Sequence, residues 1–336
     1  MPATGFLRRL PLASSVAACL AGPAPIAAQQ PSMGPLTYEE GAPLQRLSFT
    51  PMTEVAEPVP RGRLAVEVWN GFSNIFEQDS TDTHVLFLDL ERLVTTVALR
   101  WGVADAVEVG GRVTLETTGP GALDSVILTW HDWWGFGQAN RDRFPEGVYR
   151  QSLRDGAGNT YIDIPRRTLG LEDVRLFAKW RMLRSGDSRS LLSLRGAARF
   201  PTNANRAARR SVDVAATVIG QLGVGSWYGH AMAGAATARA SEALEPVLRS
   251  ASWYFALGME RSLGSSLAAV AQIQAQSAVL RSFDHRELDR APTNLVLGLA
   301  GRIGERWSWD ASFQEDIPAD TPAVDFTIGL KVRRSW

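Results

Sequence analysis

The side chains of this chain that could carry out acid–base chemistry are concentrated between residues 121 and 134. Asp124, His131 and Asp132 occur there, and a helix would place Asp124 and His131 on one face, two turns apart. Neighbours such as His131 and Asp132 would not face each other on a helix. Catalysis would also need a nucleophile within hydrogen-bond distance, and the nearby Ser125 carries no recognisable motif. We favour a polar helix face that anchors a loop, and we predict no catalytic residue.

Sequence patterns for metal or cofactor chemistry are missing as well. The four histidines are scattered without HxxxH spacing, and the sequence has no GxSxG, no P-loop and no GxGxxG before a helix. The single cysteine, Cys19, allows neither a disulfide nor a cysteine metal site within the chain. We therefore predict no metal and no cofactor.

The overall composition excludes two classes of protein. The 336 residues include 35 basic and 35 acidic ones, so the formal net charge is zero and a strongly basic nucleic-acid-binding protein is not the default. The hydrophobic fraction of 45% excludes the apolar-poor composition of disordered chains. We expect a folded chain with no nucleic-acid partner.

The N-terminus, residues 1–28, has the features of an export signal. Two arginines precede an apolar stretch too short to span a bilayer, and small residues lead to a cleavage site after Ala28. In an alternative interpretation, Cys19 carries a lipid. Residues 29–62 are Pro-rich and irregular, and we predict that they form a periplasmic segment. Export without a later helix of about 20 apolar residues leaves a soluble exported protein or a membrane β-barrel.

Alternation of apolar and polar residues decides in favour of the barrel. About twelve segments alternate beyond residue 63, and strands place successive side chains on opposite faces. Long and short connections also alternate, as in outer-membrane barrels with short periplasmic turns and longer outer loops. We predict an all-β, antiparallel transmembrane β-barrel of about twelve strands over residues 63–336.

The first two of these segments are the least regular. We place them at 64–73 and 84–101, with a connection of about ten residues between them. The apolar positions of the second segment shift between Leu90 and Leu93, which predicts a β-bulge there. A turn at residues 91–92 is the alternative.

The polar face of the strands would line the lumen. Nine basic and seven acidic residues fall on that face: Arg112, Arg175, Lys179, Arg181, Arg195, Arg199, Arg302, Lys331, Arg333, Glu108, Glu116, Asp173, Asp213, Glu260, Asp310 and Asp325. Twelve strands enclose a narrow lumen, well short of the aqueous channel of 16–18-stranded porins. We favour a salt-bridged network that closes the barrel, and the alternative is a thin channel with a slight preference for anions.

Aromatic residues mark the ends of the predicted strands. Six fall near the periplasmic side, as in an interfacial girdle: Trp101, Trp180, Trp227, Trp307, Trp309 and Trp336. The last strand has apolar residues at alternate positions up to a terminal aromatic: Val324, Phe326, Ile328, Leu330, Val332 and Trp336. It resembles the C-terminal targeting strand of outer-membrane proteins. We therefore expect residence in the outer membrane of a Gram-negative bacterium, with lipid and the assembly machinery as partners.

The longest connection, residues 117–170, contains the only helical pattern. Apolar positions in 121–134 follow the spacing of an amphipathic helix, and a short hairpin near 148–154 and 160–164 is expected after it. We favour packing of this helix at the mouth or rim of the barrel. A lumen plug and a position on the lipid surface are the alternatives.

This connection also carries a family resemblance. Its succession of Gly119, Gly121, Leu123, Asp124, His131, Asp132, Gly135, Gly137 and Arg141 resembles the proteobacterial family called domain of unknown function 3187. Residues 170–174, Gly-Leu-Glu-Asp-Val, are similar to that family's Gly-Leu-Gly-Asp-Leu. Trp130 stands where the family tends to have Phe, and Glu172 replaces a glycine. The resemblance implies an outer-membrane barrel and implies no mechanism.

Three functions are compatible with this sequence. The first, which we favour, is a narrow or gated channel for a small solute, dependent on the inward Arg175, Arg195 and Arg199. The second is a structural or adhesive barrel that uses the helix tryptophans, residues 130, 133 and 134. The third and least supported is a surface lipid-modifying enzyme dependent on the His–Asp pair at 131–132.

Overall fold

The computed structural model describes residues 31–135, 141–202, 212–237, 247–280, 289–317 and 324–336. The alternating segments form antiparallel strands, fourteen of them within these ranges. Their bounds are β1 Leu64–Ser80, β2 His84–Ala104, β3 Val107–Gly119, β4 Arg150–Asp155, β5 Thr160–Asp163, β6 Gly170–Arg184, β7 Leu191–Pro201, β8 Asp213–Val224, β9 Trp227–Thr237, β10 Ala251–Ser262, β11 Leu267–Gln276, β12 Thr293–Ile303, β13 Trp307–Asp316 and β14 Phe326–Ser335.

Twelve of the strands close into a barrel. Neighbours in the chain pair with each other from β6 to β14, β3 pairs with β6, and β1 pairs with both β2 and β14. The remaining two, β4 and β5, form the expected hairpin, and β4 pairs with the start of β2. The predicted twelve-stranded antiparallel barrel is therefore confirmed.

Short turns lie at one end of the barrel, called here the turn end, and the longer connections lie at the other, the loop end. The β1–β2 connection is the exception, because β1 continues to Ser80 and leaves three residues before His84. The expected ten-residue connection is therefore wrong. Sequence alternation gave no sign of this extension, since both faces of the outer part of β1 are covered.

The bulge expected between Leu90 and Leu93 is also wrong. The β1–β2 register runs without a shift from Leu64 opposite Trp101 to Ser80 opposite Val85. Residues 86–92 are buried on both faces of the strand, so apolar residues occur at both parities there. The alternation of apolar and polar residues is lost because this end of β2 is covered on both faces, and the register does not change.

The two faces of the barrel differ as the sequence predicts. Exposed apolar side chains cover the outer face, among them Leu99, Leu176, Val214, Leu257 and Leu330. Such a belt is typical of barrels whose outer face meets lipid. Within the described ranges, none of the helices has the length and apolar character needed to cross a membrane.

Residues 31–60, here called the lumen segment, lie inside the barrel. Most of these residues are buried, and they bond to inward side chains of strands on all sides. The segment starts at the turn end beside Glu260, reverses at the 3₁₀ turn Gln45–Leu47, and returns to the turn end, where the Val59 N–H donates to Glu108. The periplasmic position expected from the sequence is therefore wrong for this stretch. A narrow polar lumen supplies the hydrogen-bond partners that the irregular backbone of the segment requires.

The tip of the lumen segment packs beneath an apolar cap at the loop end. Leu44 and Leu47 belong to one buried cluster with residues of β1, β2, the β4–β5 hairpin and the outer connections. Its members include Ile75, Leu86, Leu88, Leu90, Leu153, Ile162, Leu248, Val279, Leu280 and Val324. The tip is thus covered from the loop end, whereas both ends of the segment lie at the turn end.

The predicted loop helix forms as α1, Asp124–Trp134, slightly shorter than the expected 121–134. It follows Leu123, whose N–H donates to the outward side chain of Glu91 at 2.6 Å. Beyond it, Phe144 packs against Phe76 and Phe87, which also face outward on the β1–β2 hairpin. Leu123 and Phe144, on either side of α1, therefore anchor the connection against the outside of the barrel rim, and the lumen segment takes the interior position that a helix plug would have needed.

Candidate functional site

The predicted lumen charges face inward in the structure. Buried members are Glu108, Arg112, Asp173, Arg175, Lys179, Arg195, Arg199, Asp213, Glu260 and Asp310, and partly buried ones are Glu116, Arg181, Arg302, Lys331 and Arg333. Asp325 is the exception, because it lies just before β14 and pairs with Arg141 of the long connection. The other fifteen charges lie at inward-facing positions of their strands.

Glu54 of the lumen segment lies at the centre of a group of cations. Arg195 Nε is 3.0 Å from its Oε1, Arg100 Nη1 is 2.7 Å from its Oε2, and Lys179 Nζ is 3.9 Å from its Oε2. These four side chains are at most 4% exposed. The cations belong to β7, β2 and β6, so one carboxylate of the segment joins three strands of the wall.

Two wall carboxylates share these cations. Arg100 Nη1 donates to Glu108 at 2.7 Å and its Nε lies 3.4 Å from Glu67, while Lys179 Nζ lies 3.5 Å from Glu108. A fourth cation, Arg112, approaches Glu67 at 3.7 Å, and its Nε and Nη1 have no hydrogen-bond partner within the described part of the chain. We call this set, Glu54, Glu67, Arg100, Glu108, Arg112, Lys179 and Arg195, the central cluster. Its four cations face three carboxylates.

The ring of Phe177 makes cation–π contacts with three of these cations. The guanidinium carbons of Arg195, Arg100 and Arg112 lie 4.5, 5.1 and 5.8 Å from its centroid. A cation over an aromatic face is attracted by the ring quadrupole, more strongly when water is excluded. Phe177 is buried and inward on β6, so it holds like charges together that would otherwise repel each other.

The cations of the central cluster set the ionisation of Glu54. Burial raises the pKa of a carboxyl group, but the charges of Arg195, Lys179 and Arg100 outweigh burial here and hold the pKa of Glu54 well below its ordinary value. Glu54 is therefore an anion at neutral pH. Its negative charge is part of what holds the lumen segment in place.

A second group of ion pairs, the upper cluster, fixes the segment near its tip. Its members are Glu39 and Arg46 of the segment and Arg92, Glu172 and Arg175 of the wall. Arg175 pairs with Glu39, and Arg46 Nε and Arg92 Nη2 each donate to Glu172 at 2.7 Å. Burial raises the pKa of Glu39, yet Arg175 and Arg46 outweigh this and keep it below its ordinary value.

Glu172 points into the lumen because of a β-bulge. In the β3–β6 pairing, Thr114 lies opposite Asp173 and Leu115 opposite Leu171, which leaves Glu172 as the extra residue. A bulge of this kind re-aims a side chain that strict alternation would place on the other face. Alternation alone therefore could not place this carboxylate.

Backbone carbonyl groups of the tip are held by one wall arginine. Arg199 donates to the carbonyl oxygens of Arg46, Leu47 and Ser48 at 3.2, 3.2 and 3.0 Å. Its Nη2 also donates to Asp213 at 2.6 Å. This arrangement satisfies buried carbonyl groups at the turn of the segment that have no strand partner.

The beginning of the segment is anchored at the turn end by Glu260. This carboxylate accepts from the Ser32 hydroxyl at 2.6 Å, from the N–H groups of Met33 and Gly34 at 2.8 and 3.2 Å, and contacts His230 Nε2 at 2.9 Å. Ser32 Oγ lies 3.5 Å from the same ring nitrogen. A Ser–His–acid triad uses opposite ring nitrogens for the serine and the acid. The group is therefore an anchor by its geometry, and it differs from a nucleophilic triad.

Several members of these groups were missed from the sequence. The wall residues are Glu67, Arg92, Arg100 and Glu172, and those of the lumen segment are Glu39, Arg46 and Glu54. Arg92 and Arg100 lie on the inward parity of β2, and the expected bulge at 90–93 obscured the parity of Arg92 alone. For the segment residues no periodic signal exists, since the segment has no regular strand.

Two residues of the family motif in the long connection, Asp124 and Arg141, form a group of polar contacts that we call the clasp. Asp124 accepts from Arg141 Nη1 and from the Gly147 N–H, both at 2.9 Å. Arg141 also donates to Asn74 at 2.6 Å, pairs with Asp325 and lies over Phe76 at 4.8 Å. A Cβ on Gly121 would overlap the Asp124 carboxylate, which explains the glycine there. Asp124 is thus a member of the clasp.

Two further motif residues, His131 and Asp132, belong to α1. Asp132 lies on the exposed part of α1, and the side chain of His131 lies outside the described residues, as do those of Trp130 and Trp134. Trp133 is 78% exposed. Within the described ranges, no group of three His, Cys, Asp or Glu residues could hold a metal ion. Cys19 and the expected cleavage site at Ala28 lie outside those ranges.

The tryptophans lie at the turn end, as the sequence places them. Trp101 and Trp180 are close to the ends of β2 and β6, Trp227, Trp307 and Trp309 are at the starts of β9 and β13, and Trp336 follows β14. On the last strand, Ile328, Leu330 and Val332 face outward and are exposed. The Trp336 N–H donates to the carbonyl oxygen of Leu64 at 2.9 Å, where β14 meets β1.

A closed twelve-stranded antiparallel barrel with an apolar outer belt is the fold of outer-membrane barrel proteins. The chain belongs to the family described as Protein of unknown function (DUF3187), which it matches over residues 12–336. The family resemblance seen in the sequence is therefore confirmed. No curated protein matches the sequence.

Solved structures share the barrel. The COG4313 outer membrane channel from Pseudomonas putida F1 is 13% identical, with a TM-score of 0.53 and coverage of 84% of this chain and 98% of that one. The NanC porin is 7% identical, with a TM-score of 0.44 and coverage of 80% and 98%. Outer membrane phospholipase A from Escherichia coli is 9% identical, with a TM-score of 0.36 and coverage of 82% and 93%. At 13% identity, the likeness to the COG4313 channel concerns the fold.

Proposed function

We propose that this protein is an outer-membrane channel for small solutes that is closed by its own lumen segment and opens when that segment withdraws. The observation that carries the proposal is the path of residues 31–60. Charged side chains of the wall line the route of the segment, and the segment fills the lumen from the turn end to its tip. The fold shared with the COG4313 outer membrane channel supports the same class of function.

The path of the segment permits withdrawal without threading. It is a single loop whose two arms meet the wall at the same end of the barrel, near Glu260 and Glu108. Its contacts with the wall include many hydrogen bonds and ion pairs, beside apolar contacts such as those of Leu36, Phe49 and Met52. Buried ion pairs gain little net free energy, because desolvation offsets their attraction. The charged groups of the wall and of the segment would both be rehydrated in the open state, which offsets the loss of their ion pairs.

A reversible cross-link between segment and wall tests this proposal. A Cβ built on Gly41 lies 3.1 Å from the Cβ of Ser73, near the ~3.8 Å usual in a disulfide, although Val324 Cγ1 at 2.7 Å must move aside. We would prepare Gly41→Cys with Ser73→Cys in a Cys19→Ser background. Conductance across a planar bilayer would be recorded before and after reduction.

We expect the oxidised double variant to be closed and the reduced form to show openings. Each single cysteine variant serves as the control, and its conductance should not respond to the reductant. Deleting residues 31–60 should give a permanently conducting barrel. Silence of the reduced double variant and of the deletion variant, with both inserted as folded barrels, would contradict a channel function.

A second candidate is a barrel that adheres to a partner through α1. Its supporting observation is the exposure of Val126, at 58%, and of Trp133 on the same short helix. Replacing both by serine would abolish such adhesion and leave the conductance of the channel unchanged. Binding of whole cells to a surface coated with the purified protein would measure it.

A further inference from the structure

We infer that the central cluster is a binding site for a small solute with a carboxylate group, and that Glu54 occupies this site in the closed state. The inference rests on the proposed channel function and names the solute class for it. In the closed state the ligand is supplied by the chain itself, on a segment that enters from the turn end.

The cations of the site belong to the wall and would remain after the segment leaves. Arg100, Arg112, Lys179 and Arg195 come from β2, β3, β6 and β7, which are adjacent strands of the barrel. Their side chains are at most 2% exposed, and Phe177 holds three of them by cation–π contacts. The site is therefore built into neighbouring rigid strands.

The charge balance of the site favours an anion. With Glu54 in place, four cations face three carboxylates, and without it only Glu67 and Glu108 remain. Arg112 has two donor nitrogens, Nε and Nη1, that lack a hydrogen-bond partner among the described residues even in the closed state. Buried donors without acceptors are costly, so an entering anion would regain the free energy that Glu54 supplies when the barrel is closed.

The contacts that Glu54 makes define the chemistry of the solute. One carboxylate oxygen meets Arg195 and the other meets Arg100 and Lys179. Guanidinium groups match the planar shape of a carboxylate, whereas a cation would meet four like charges. A small carboxylate is accordingly the class of solute that the wall already accommodates.

Chemical rescue in the full-length protein tests the site without any conductance measurement. We would replace Glu54→Ala and follow thermal unfolding in detergent as sodium acetate or sodium succinate is titrated against sodium chloride at equal ionic strength. The variant should unfold at a lower temperature than the wild type in chloride. Acetate and succinate should raise its unfolding temperature, with half of the effect at a concentration about tenfold lower than for the wild type.

Matched variants show whether the rescue belongs to this site. Glu57→Ala removes a carboxylate from the same segment, at a position that is 38% exposed and pairs with Arg181. It should show no such rescue. Adding Arg112→Gln to Glu54→Ala should weaken the rescue by several fold, because it removes the donors that lack a partner. If Glu54→Ala fails to fold, Glu54→Ser, which also vacates the place of the carboxylate, is titrated in the same way.

The outcomes separate this inference from the channel proposal. A destabilised Glu54 variant that acetate and succinate do not rescue would overturn the carboxylate site, whatever its conductance. Equal rescue by phosphate would make the cluster a general anion site and overturn the assignment to carboxylates. Rescue in a protein that stays silent in bilayers would support the site and contradict the channel. In a conducting variant, we expect a reversal potential on the anion-selective side.

Discussion

Arg195 on the barrel wall and Glu54 on the lumen segment are joined at 3.0 Å in a buried ion pair. This pair joins β7, which the alternation of apolar and polar residues predicts, to the lumen segment, which that alternation does not predict. It also relates the closed state to the protonation of one carboxyl group. Glu54 has a depressed pKa in the folded protein because of the cations around it.

We predict that strong acid opens the barrel. A carboxyl group with a depressed folded pKa stabilises the folded state above its unfolded pKa of about 4.3, and this contribution is lost as pH falls through the folded pKa. The segment should therefore stay in place from pH 7 to about 4.3, lose this stabilisation progressively below that, and withdraw as pH falls towards the folded pKa of Glu54. Conductance in a planar bilayer, recorded as pH is lowered on both sides, measures the transition.

The control is the double variant Glu39→Gln with Glu54→Gln, since the pKa of Glu39 is also depressed. Both groups are then neutral at every pH, so the variant should already conduct at pH 7 and lose most of the acid response. If its conductance followed the same acid profile as the wild type, the lumen carboxylates would not control the segment.

A separate prediction concerns the clasp of the long connection. Replacing Arg141→Gln leaves Asp124 and Asp325 as carboxylates without their shared cation, and breaking a buried pair from one side costs ~3–5 kcal/mol. We expect cleavage of the loop by proteinase K to become at least about tenfold faster, because the loop detaches from the rim more often. The clasp lies outside the lumen, so conductance should stay that of the wild type.

The exposed Arg143, two residues further along, offers the matched control. Arg143→Gln should leave the cleavage rate unchanged. Equal cleavage of the Arg141 variant and the wild type would show that the motif residues do not secure the loop. A rise in conductance would instead mean that the loop takes part in closing the barrel.

Arg195 and Glu54 of the central cluster differ in whether their positions can be predicted from the sequence. Arg195 could be placed because a strand has a period of two, and its neighbours on the opposite face are apolar. Glu54 could not, because an irregular Pro-rich segment has the same composition in the periplasm and inside a polar lumen. Only the tertiary structure decides between the two positions.

In strand β2, the periodicity of residue types does not reveal the register. Arg92 and Arg100 share the inward parity, and the register of β2 with β1 is continuous between them. The apolar residues at 86–92 lie on both faces because the tip of the segment covers one side and the long connection covers the other. Coverage from outside the strand changes the pattern of residue types without changing the register, and sequence periodicity cannot separate these causes.

The last prediction follows from the bulge at Glu172. This carboxylate binds Arg46 of the segment and Arg92 of the wall, each through a hydrogen bond of 2.7 Å. Replacing Glu172→Gly, the residue that the family resemblance implies here, removes the acceptor and leaves two buried cations with fewer partners. We expect hydrogen exchange of the tip, residues 44–48, to become at least about tenfold faster, which mass spectrometry of peptides can measure.

Glu116→Gln provides the matched control, since Glu116 contacts Arg92 only at 3.4 Å and is 13% exposed. Its effect on the tip should be small, because the pair with Glu172 remains. Equal acceleration by both substitutions would mean that any acidic neighbour of Arg92 holds the tip. Acceleration by the Glu172 variant alone would mean that the Glu172 carboxylate holds the tip through Arg46. A glycine at this position could not make that contact.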